Sequence, residues 1–465
     1  MALLKTWTGS VQRLLNLRRS ARARASTVNA LSGVADYLAQ PIAMLLAAPF
    51  LLRRMGVSEF GLWILVCAAV GGGSTLAIGF GDAAMKYISL ARGKGDWPGV
   101  VSTVRSAMTI NLLLGLIVGT ALWIAAPYTV HHVFKIDARS YVMAIGALRV
   151  GSVLLLVRSV ESVLVNSLRA FEQYLPSVTI NIVSRSVIIC VAVFLVARGG
   201  GVLAIMAVTL TLSCVAMFLQ ACAVWRYVGK MKLLPSFNKA ALSKIVSFGS
   251  FSWLQALSAL VFSQVDRLVI GAVLGTSAVA YYSVCTQVAQ PIHGITAASL
   301  HFLFPHLSTR HATEASGMLR RAIVAALRLN LLIAVTLTVP VALFGKSILR
   351  LWMGAAFTTA TGSTLSLLAI AFGLLAMNVT AHYSMLALGQ IRYLTCLNLV
   401  AGAATILVLS ILVRHEAISG AAAARLLYGP FTWVMYLKIH SLLSEGSPCP
   451  AQLVPELIVA GEEEG

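Results

Sequence analysis

Long apolar runs recur along the chain, separated by short polar or basic stretches. An α-helix needs about 20 apolar residues to cross the hydrocarbon layer of a bilayer. Runs of that kind centre near Gln40, Gly71, Leu114, Val153, Arg185, Leu212, Val261, Pro291, Ala334, Ile370, Ala404 and Thr432. The pattern predicts an all-α polytopic membrane protein with about 12 transmembrane helices. The connections are short, and none has the length of a folded extramembrane domain.

Basic residues set the orientation. With the N-terminus inside the cell, most of the 35 Lys and Arg fall in the N-terminal tail and the even-numbered connections. The dense groups lie within Lys5–Arg24, Lys86–Arg105, Arg226–Lys244 and Arg310–Arg328; the odd-numbered connections hold thinner ones such as Arg53–Arg54 and Lys346–Arg350. Cytoplasmic loops carry such an excess, so both termini are expected in the cytoplasm. At the N-terminus, Leu4, Trp7, Val11 and Leu14 fall at helical spacing among basic residues, the pattern of an amphipathic helix lying on a membrane surface. The apolar stretch of a cleaved signal peptide is missing there.

A weak internal repeat divides the chain. "MGVSEFGLWILV" (Met55–Val66) and "LGTSAVAYYSVC" (Leu274–Cys285) lie about half a chain length apart. Each has Gly, then Ser two residues on, then an aromatic seven residues after the Gly, Trp63 and Tyr282. Internal repeats of spans are common in transporters. The expected organisation is a basic cytoplasmic segment over 1–26, an N-lobe with helices 1–6 over 27–228, and a cytoplasmic linker over 229–244. A C-lobe with helices 7–12 over 245–443 and a cytoplasmic tail over 444–465 complete it.

Composition narrows the function classes. The 465 residues are 59% hydrophobic and 11% charged, with a mean hydropathy of +0.88; a soluble domain is about a quarter charged. The net charge of +20 suits loops facing anionic lipid and is not read as nucleic-acid binding. The seven cysteines show no CxxC spacing and read as small buried apolar residues. His131–His132 has no third ligand in sequence, and Gly71–Gly73 lies within a span, where close helix packing is its use. No metal site and no cofactor are expected.

Two stretches carry a family resemblance. "PFLLRRMGVSEFGLWIL", followed by "LAIGFGDAAMKYIS", resembles the opening of the polysaccharide flippases of O-antigen, or Wzx, type. "FGSFSWLQALSALVFSQVDRLVIGAVLGTSAVAYYSVCTQVAQPI", followed by "LFPHLS", is similar to the mid-chain signature of that family: an Asp-Arg/Lys step, then aliphatic-Gly, Leu-Gly and Tyr. The family lies in the multidrug/oligosaccharidyl-lipid/polysaccharide exporter superfamily. The resemblance implies two six-helix lobes around a central cavity that alternates between the membrane faces. It implies no enzyme but a flippase that moves an undecaprenyl-pyrophosphate-linked oligosaccharide to the outer leaflet of the bacterial inner membrane, for O-antigen or exopolysaccharide. Implied partners are that lipid-linked oligosaccharide, membrane lipid, an H+ or Na+ coupling ion, and the polysaccharide polymerase and glycosyltransferases. The motifs are shared across the superfamily, so an ion-coupled antiporter of another cargo stands as an alternative. A polysaccharide-assembly membrane enzyme is a second.

Charges inside the predicted spans point the same way. An ionised side chain at mid-bilayer costs a few kcal/mol, so such groups face protein or a wet cavity. Arg149, Arg158, Arg185, Arg267 and Arg425 stand against Asp36, Glu161 and Asp266. The excess is positive, which suits an anion; a cationic drug would prefer carboxylates and aromatics. Arginine presents a permanently charged fork matched to phosphate. Arg149, Arg185 and Arg267, with Arg158 and Arg425, are the candidate substrate groups. Arg158 and Glu161 share a helical face and are expected to pair. Arg149 lies on the other side of that helix from Arg158. Arg185 sits in the polar patch "NIVSRS", and Arg425 among small residues, where helix packing is the alternative role. Asp266, Glu161 and Asp36 are the ion-coupling candidates. Asn378, His382, Gln287 and Gln290 are candidate sugar contacts and are equally suited to interhelical hydrogen bonds. Pro41, Pro291, Pro340 and Pro430 lie in or beside spans, where kinks or broken helices suited to gating are expected.

Overall fold

The computed structural model describes residues 39, 41–78, 80–228, 235, 236, 245, 246, 253, 254, 257, 260, 264–300, 303, 307 and 316–444. The basic segment 1–26, Asp36, most of the linker 229–244 and of the run near Val261, and the tail beyond 444 lie outside the described residues. The chain divides into two compact units, one reaching Ala256 and the other beginning at Leu257. Every regular element among the described residues is a helix.

Unit 1 holds α1 (residues 41–55), α2 (Val57–Ile78), α3 (Gly81–Gly93), α4 (Trp97–Tyr128), α5 (Tyr141–Ala170), α6 (Tyr174–Ala197) and α7 (Val202–Val228). Its central member is α5, which packs on α2, α4 and α7. Small residues make the approach close: a side chain at Gly115 or Gly119 of α4 would run into Ser159 or the Ser152 carbonyl of α5. Glu59, in the first turn of α2, accepts a hydrogen bond from the Val202 amide at 3.2 Å, so an anion sits on the positive end of α7.

One element departs from the sequence reading. The connection carrying Lys86 and Arg92 is a 13-residue helix, α3. Its Ala83, Ala84 and Ile88 bury against Val100 and Val104 of α4 and Val163, Leu164 and Leu168 of α5, while Lys86 remains exposed. The apolar positions recur at helical spacing, and the basic residues occupy the other face.

Unit 2 holds α8 (Asp266–Val273), α9 (Thr276–Ser299), α10 (Ser316–Met353), α11 (Ala355–Thr361), α12 (Thr364–Ala376), α13 (Val379–Ala387), α14 (Ile391–Arg425), α15 (Tyr428–Thr432) and α16 (Val434–Ser444). Here α12 is central and packs on α9, α10 and α14. The 38 residues of α10 extend ~57 Å, well beyond the ~30 Å hydrocarbon layer, so its basic start, with exposed Arg320, Arg321 and Arg328, reaches into the aqueous region.

Eight helical stretches among the described residues are long and apolar enough to cross a membrane. The last, Ile391–Ser444, has 54 residues and is broken at Glu416–Ala417, where Ala417 takes a φ of 52°. It therefore provides two crossings. With α1 and α9 beside them, the layout is that of a polytopic membrane protein, in keeping with about 12 spans. The repeat seen in sequence has a local counterpart. Gly56 and Gly275 both adopt positive φ, 82° and 92°, and a helix starts at the next residue in each unit. That conformation is open to glycine without strain.

Two expectations need correction. Helices α9 and α10 run on through Pro291 and Pro340. The helix is broken on both sides of Pro430, at Leu426–Leu427 and Trp433, as expected, and further breaks fall at Ala417 and at Met377–Asn378, where no proline stands. A proline forfeits one backbone bond and need not end a helix whose neighbours hold it. The cysteines are mostly not core residues either. Among the described residues Cys67, Cys190, Cys222 and Cys396 are exposed, Cys214 is half-buried and only Cys285 is buried. An apolar residue of a membrane helix can face lipid as readily as protein, so hydrophobicity alone does not indicate burial there.

Candidate functional site

Unit 1 carries its mid-span charges on α5 and α6, and α7 joins them with an amide. Arg158 and Glu161 pair within α5 at 3.7 Å, as the spacing predicts. Glu161 is buried and also accepts from Gln220 Nε2 of α7 at 3.4 Å; the same amide donates to Asn181 Oδ1 of α6 at 2.9 Å. Arg185 of α6, half-buried, acts electrostatically on the same carboxylate. Three helices thus share one polar cluster, held where lipid would not tolerate it unpaired. Arg149 stands apart, as its position on the far side of α5 requires. Its guanidinium lies 5.3 Å from the Trp123 ring of α4, a cation–π contact, and its Nε is buried with no hydrogen-bond partner among the described residues.

Unit 2 treats its neighbouring charges differently from one another. Asp266 and Arg267 point apart, as residues about 100° apart on a helix must. Asp266, 3% exposed, meets Arg425, 4% exposed, at 3.0 Å. The Arg425 guanidinium also lies 5.0 Å from the Phe372 ring of α12. Tyr282 of α9 is fully buried and interacts with both members of the pair. Four helices therefore meet at a neutralised buried ion pair. Arg267 is half-buried, with Nη1 donating to Gln264 Oε1 at 3.4 Å.

The polar uncharged residues separate. Asn378 is buried at the break between α12 and α13. Its amide donates to the Gly429 carbonyl at 2.9 Å and the Thr432 hydroxyl at 2.6 Å. Asn330 and the Tyr436 hydroxyl donate to the Met377 carbonyl at 3.0 and 2.6 Å. These side chains satisfy backbone groups freed by broken membrane helices, so Asn378 is committed to packing. His382 sits edge-on to the Tyr383 ring. Gln287 is half-buried, with Oε1 lacking a hydrogen-bond partner among the described residues, and Gln290 is exposed.

Gln220, Tyr282, Phe372 and Trp123 complete these clusters and were not singled out as site residues from sequence. Gln220 carried a usable signal, a lone amide in the apolar run "FLQACAV". No group of three or more His, Cys, Asp or Glu suited to a metal ion occurs among the described residues. Chemically, unit 1 offers guanidinium forks in a poorly screening environment, suited to phosphate oxygens. The buried pair of unit 2 is already neutral.

A family model described as "Polysaccharide biosynthesis protein" matches residues 53–362, most of the chain. The chain belongs to the polysaccharide biosynthesis protein family. No curated protein matches it. Among solved structures, this family member is similar to a multidrug resistance MATE family transporter of the MOP superfamily in an inward-facing conformation. Identity is 17% over 89% of this chain and 98% of that one, with a TM-score of 0.70. It is also similar to an outward-facing MATE transporter of that superfamily, at 18% identity over 89% and 96% with a TM-score of 0.55. A MATE protein in a straight conformation matches at 17% over 91% and 96%, with a TM-score of 0.59. At these identities the likeness establishes the fold. The family is one of polysaccharide biosynthesis, and the all-helical, multi-pass fold is one that MATE transporters share.

Proposed function

We propose that this family member is a flippase that moves an undecaprenyl-pyrophosphate-linked oligosaccharide from the cytoplasmic to the outer leaflet of a bacterial inner membrane. It acts by alternating access through a cationic cavity and breaks no bond. The observation that carries the reading is the arginine excess in the middle of the unit 1 spans: Arg149, Arg158 and Arg185 against Glu161. A pyrophosphate needs that sign of charge, and its isoprenoid tail can stay in the bilayer while the head group crosses. Asp266 and Glu161 are the described residues proposed for H+ or Na+ coupling. The polymerase and glycosyltransferases of polysaccharide assembly are the proposed partners.

The test is reconstitution of the full chain in vesicles carrying a lipid-linked oligosaccharide extracted from bacterial membranes. An impermeant lectin should gain access to the head group over time, with the lipid–sugar linkage intact. Release of the sugar from the lipid would favour the assembly enzyme. Extrusion of an organic cation without head-group movement would favour the antiporter.

Orientation is tested separately. A reporter active only outside the cytoplasm should give signal when fused at Gly199 or Gly275, the turns before α7 and α9. Fused at Lys232 it should give none. Signal at Lys232 would overturn the cytoplasmic placement of both termini.

A further inference from the structure

At the end of unit 1 that carries Arg92, Lys94, Arg169 and Arg226, three connections come together on a short ladder of stacked rings. Trp97, the first residue of α4, lies parallel to Phe171, at the end of α5, with centroids 6.5 Å apart and planes 16° apart. Phe171 in turn stacks on Tyr227, near the end of α7, at 6.0 Å and 21°. Phe171 is buried in the middle, and the outer rings remain open: Trp97 is 45% exposed and Tyr227 37%.

Polar groups frame the ladder. Tyr227 donates its hydroxyl hydrogen to Gln173 Oε1 at 3.0 Å. Arg92 donates from Nη1 to the Ala170 carbonyl at 3.0 Å and lies 3.6 Å from the Glu172 carboxylate, which stays 78% exposed. The backbone of Glu172 has a φ of 61°. Its amide bonds the Arg169 carbonyl and the Gln173 amide bonds the Leu168 carbonyl, both at 2.9 Å, closing α5 with a left-handed residue. Glycine fills that position without strain, and most helices that end this way use it. A glutamate held there keeps an exposed carboxylate at a strained position, a feature that concentrates at functional sites.

We propose that the Trp97–Phe171–Tyr227 ladder, with Arg92, Glu172 and Gln173, is a saccharide-recognition platform. It takes the sugar portion of the substrate before translocation, and so rests on the flippase reading. A pyranose has an apolar C–H face and rims of neighbouring hydroxyls. The open face of Trp97 stacks on the first. Carboxylate, amide and guanidinium groups, each with two polar atoms at fixed spacing, match adjacent hydroxyls on the second. The basic residues place this end in the cytoplasm, where a lipid-linked saccharide is loaded. Aromatic residues also anchor membrane proteins at the water interface. An anchor needs neither a ladder across three connections nor a carboxylate on a left-handed residue.

Binding of three probes to the full chain in nanodiscs tests the platform: extracted lipid-linked oligosaccharide, sugar-free undecaprenyl pyrophosphate, and the free oligosaccharide released by mild acid. Trp97→Ala should weaken the two sugar-bearing probes about tenfold, the worth of one good aromatic contact, and leave undecaprenyl pyrophosphate unchanged. Trp97→Phe should retain most of the binding. Glu172→Gly relieves the backbone, so thermal stability should hold or rise while sugar binding falls about fivefold, the scale of one hydrogen-bonding group. A variant effect on the lipid-linked probe without one on the free oligosaccharide would overturn saccharide recognition, as would Trp97→Ala weakening all three probes equally. Unchanged binding in both Trp97→Ala and Glu172→Gly, with wild-type protein still binding the lipid-linked probe, would overturn the platform and leave the flippase reading standing. Wild-type protein that binds no sugar-bearing probe would overturn both.

Discussion

Arg425→Leu is expected to remove most of the folded protein from the membrane. The substitution leaves Asp266, 3% exposed, without the guanidinium that now stands 3.0 Å from it. Breaking a buried ion pair from one side costs about 3–5 kcal/mol, because the surviving charge stays desolvated. Asp266→Asn should be harmful for the converse reason, stranding Arg425 between Phe372 and Tyr282. The double variant Asp266→Leu/Arg425→Met should recover much of the loss, since replacing both charges by apolar groups is often neutral. Arg425→Lys should fall between, keeping the charge and losing the planar fork. Membrane abundance and thermal unfolding in detergent measure all four. A double variant no better than the worse single one would show that the two side chains do more than neutralise each other.

That pair lies beyond what local sequence can specify. The intramembrane position of Asp266 and Arg267 was plain, and their divergence follows from helix geometry alone. Which of Arg267 and Arg425 takes the carboxylate was not, because Arg425 lies 159 positions from Asp266 and only the packing of α8 against α14 brings them together. Arg158 and Glu161 were legible, being three residues apart on one helix. Gln220, which ties that pair to Asn181 across two further helices, was not, because partners on separate spans leave no periodicity to read.

The spans themselves were legible for a physical reason: lipid demands about 20 apolar residues at each crossing, whatever the protein does. Breaks within spans were less so. Beside Asn378 the broken helix is repaired by side chains from α10 and α16, which bond the Met377 carbonyl, a long-range arrangement without a local mark. At Ala417 the chain turns on an alanine where sequence statistics favour glycine. Helix α3 was readable in principle. Its charged face suited the loop expected there, and the apolar face was hidden by its shortness.

The arginines decide the transport mechanism, and their geometry now separates the variants. If Arg149, Arg185 and Arg267 present charge to a lipid-linked pyrophosphate, Arg→Ala at each site should reduce head-group translocation about 10- to 100-fold per folded protein, the scale of a lost charge-assisted hydrogen bond. Lys variants should fall less, keeping the charge without the fork. Glu variants should abolish transport, since an anionic head would meet like charge where screening is weak. A packing role gives a different order. At Arg149 it predicts that Lys, still able to sit over Trp123, restores full turnover, and that Trp123→Ala mimics Arg149→Ala. At Arg185 it predicts that Ala lowers abundance through the Glu161 cluster while surviving molecules transport normally. Translocation in vesicles, normalised to folded protein, distinguishes the two at every site. Normal turnover in all three Glu variants would remove the cationic cavity, and with it the physical reason for placing these arginines inside a membrane.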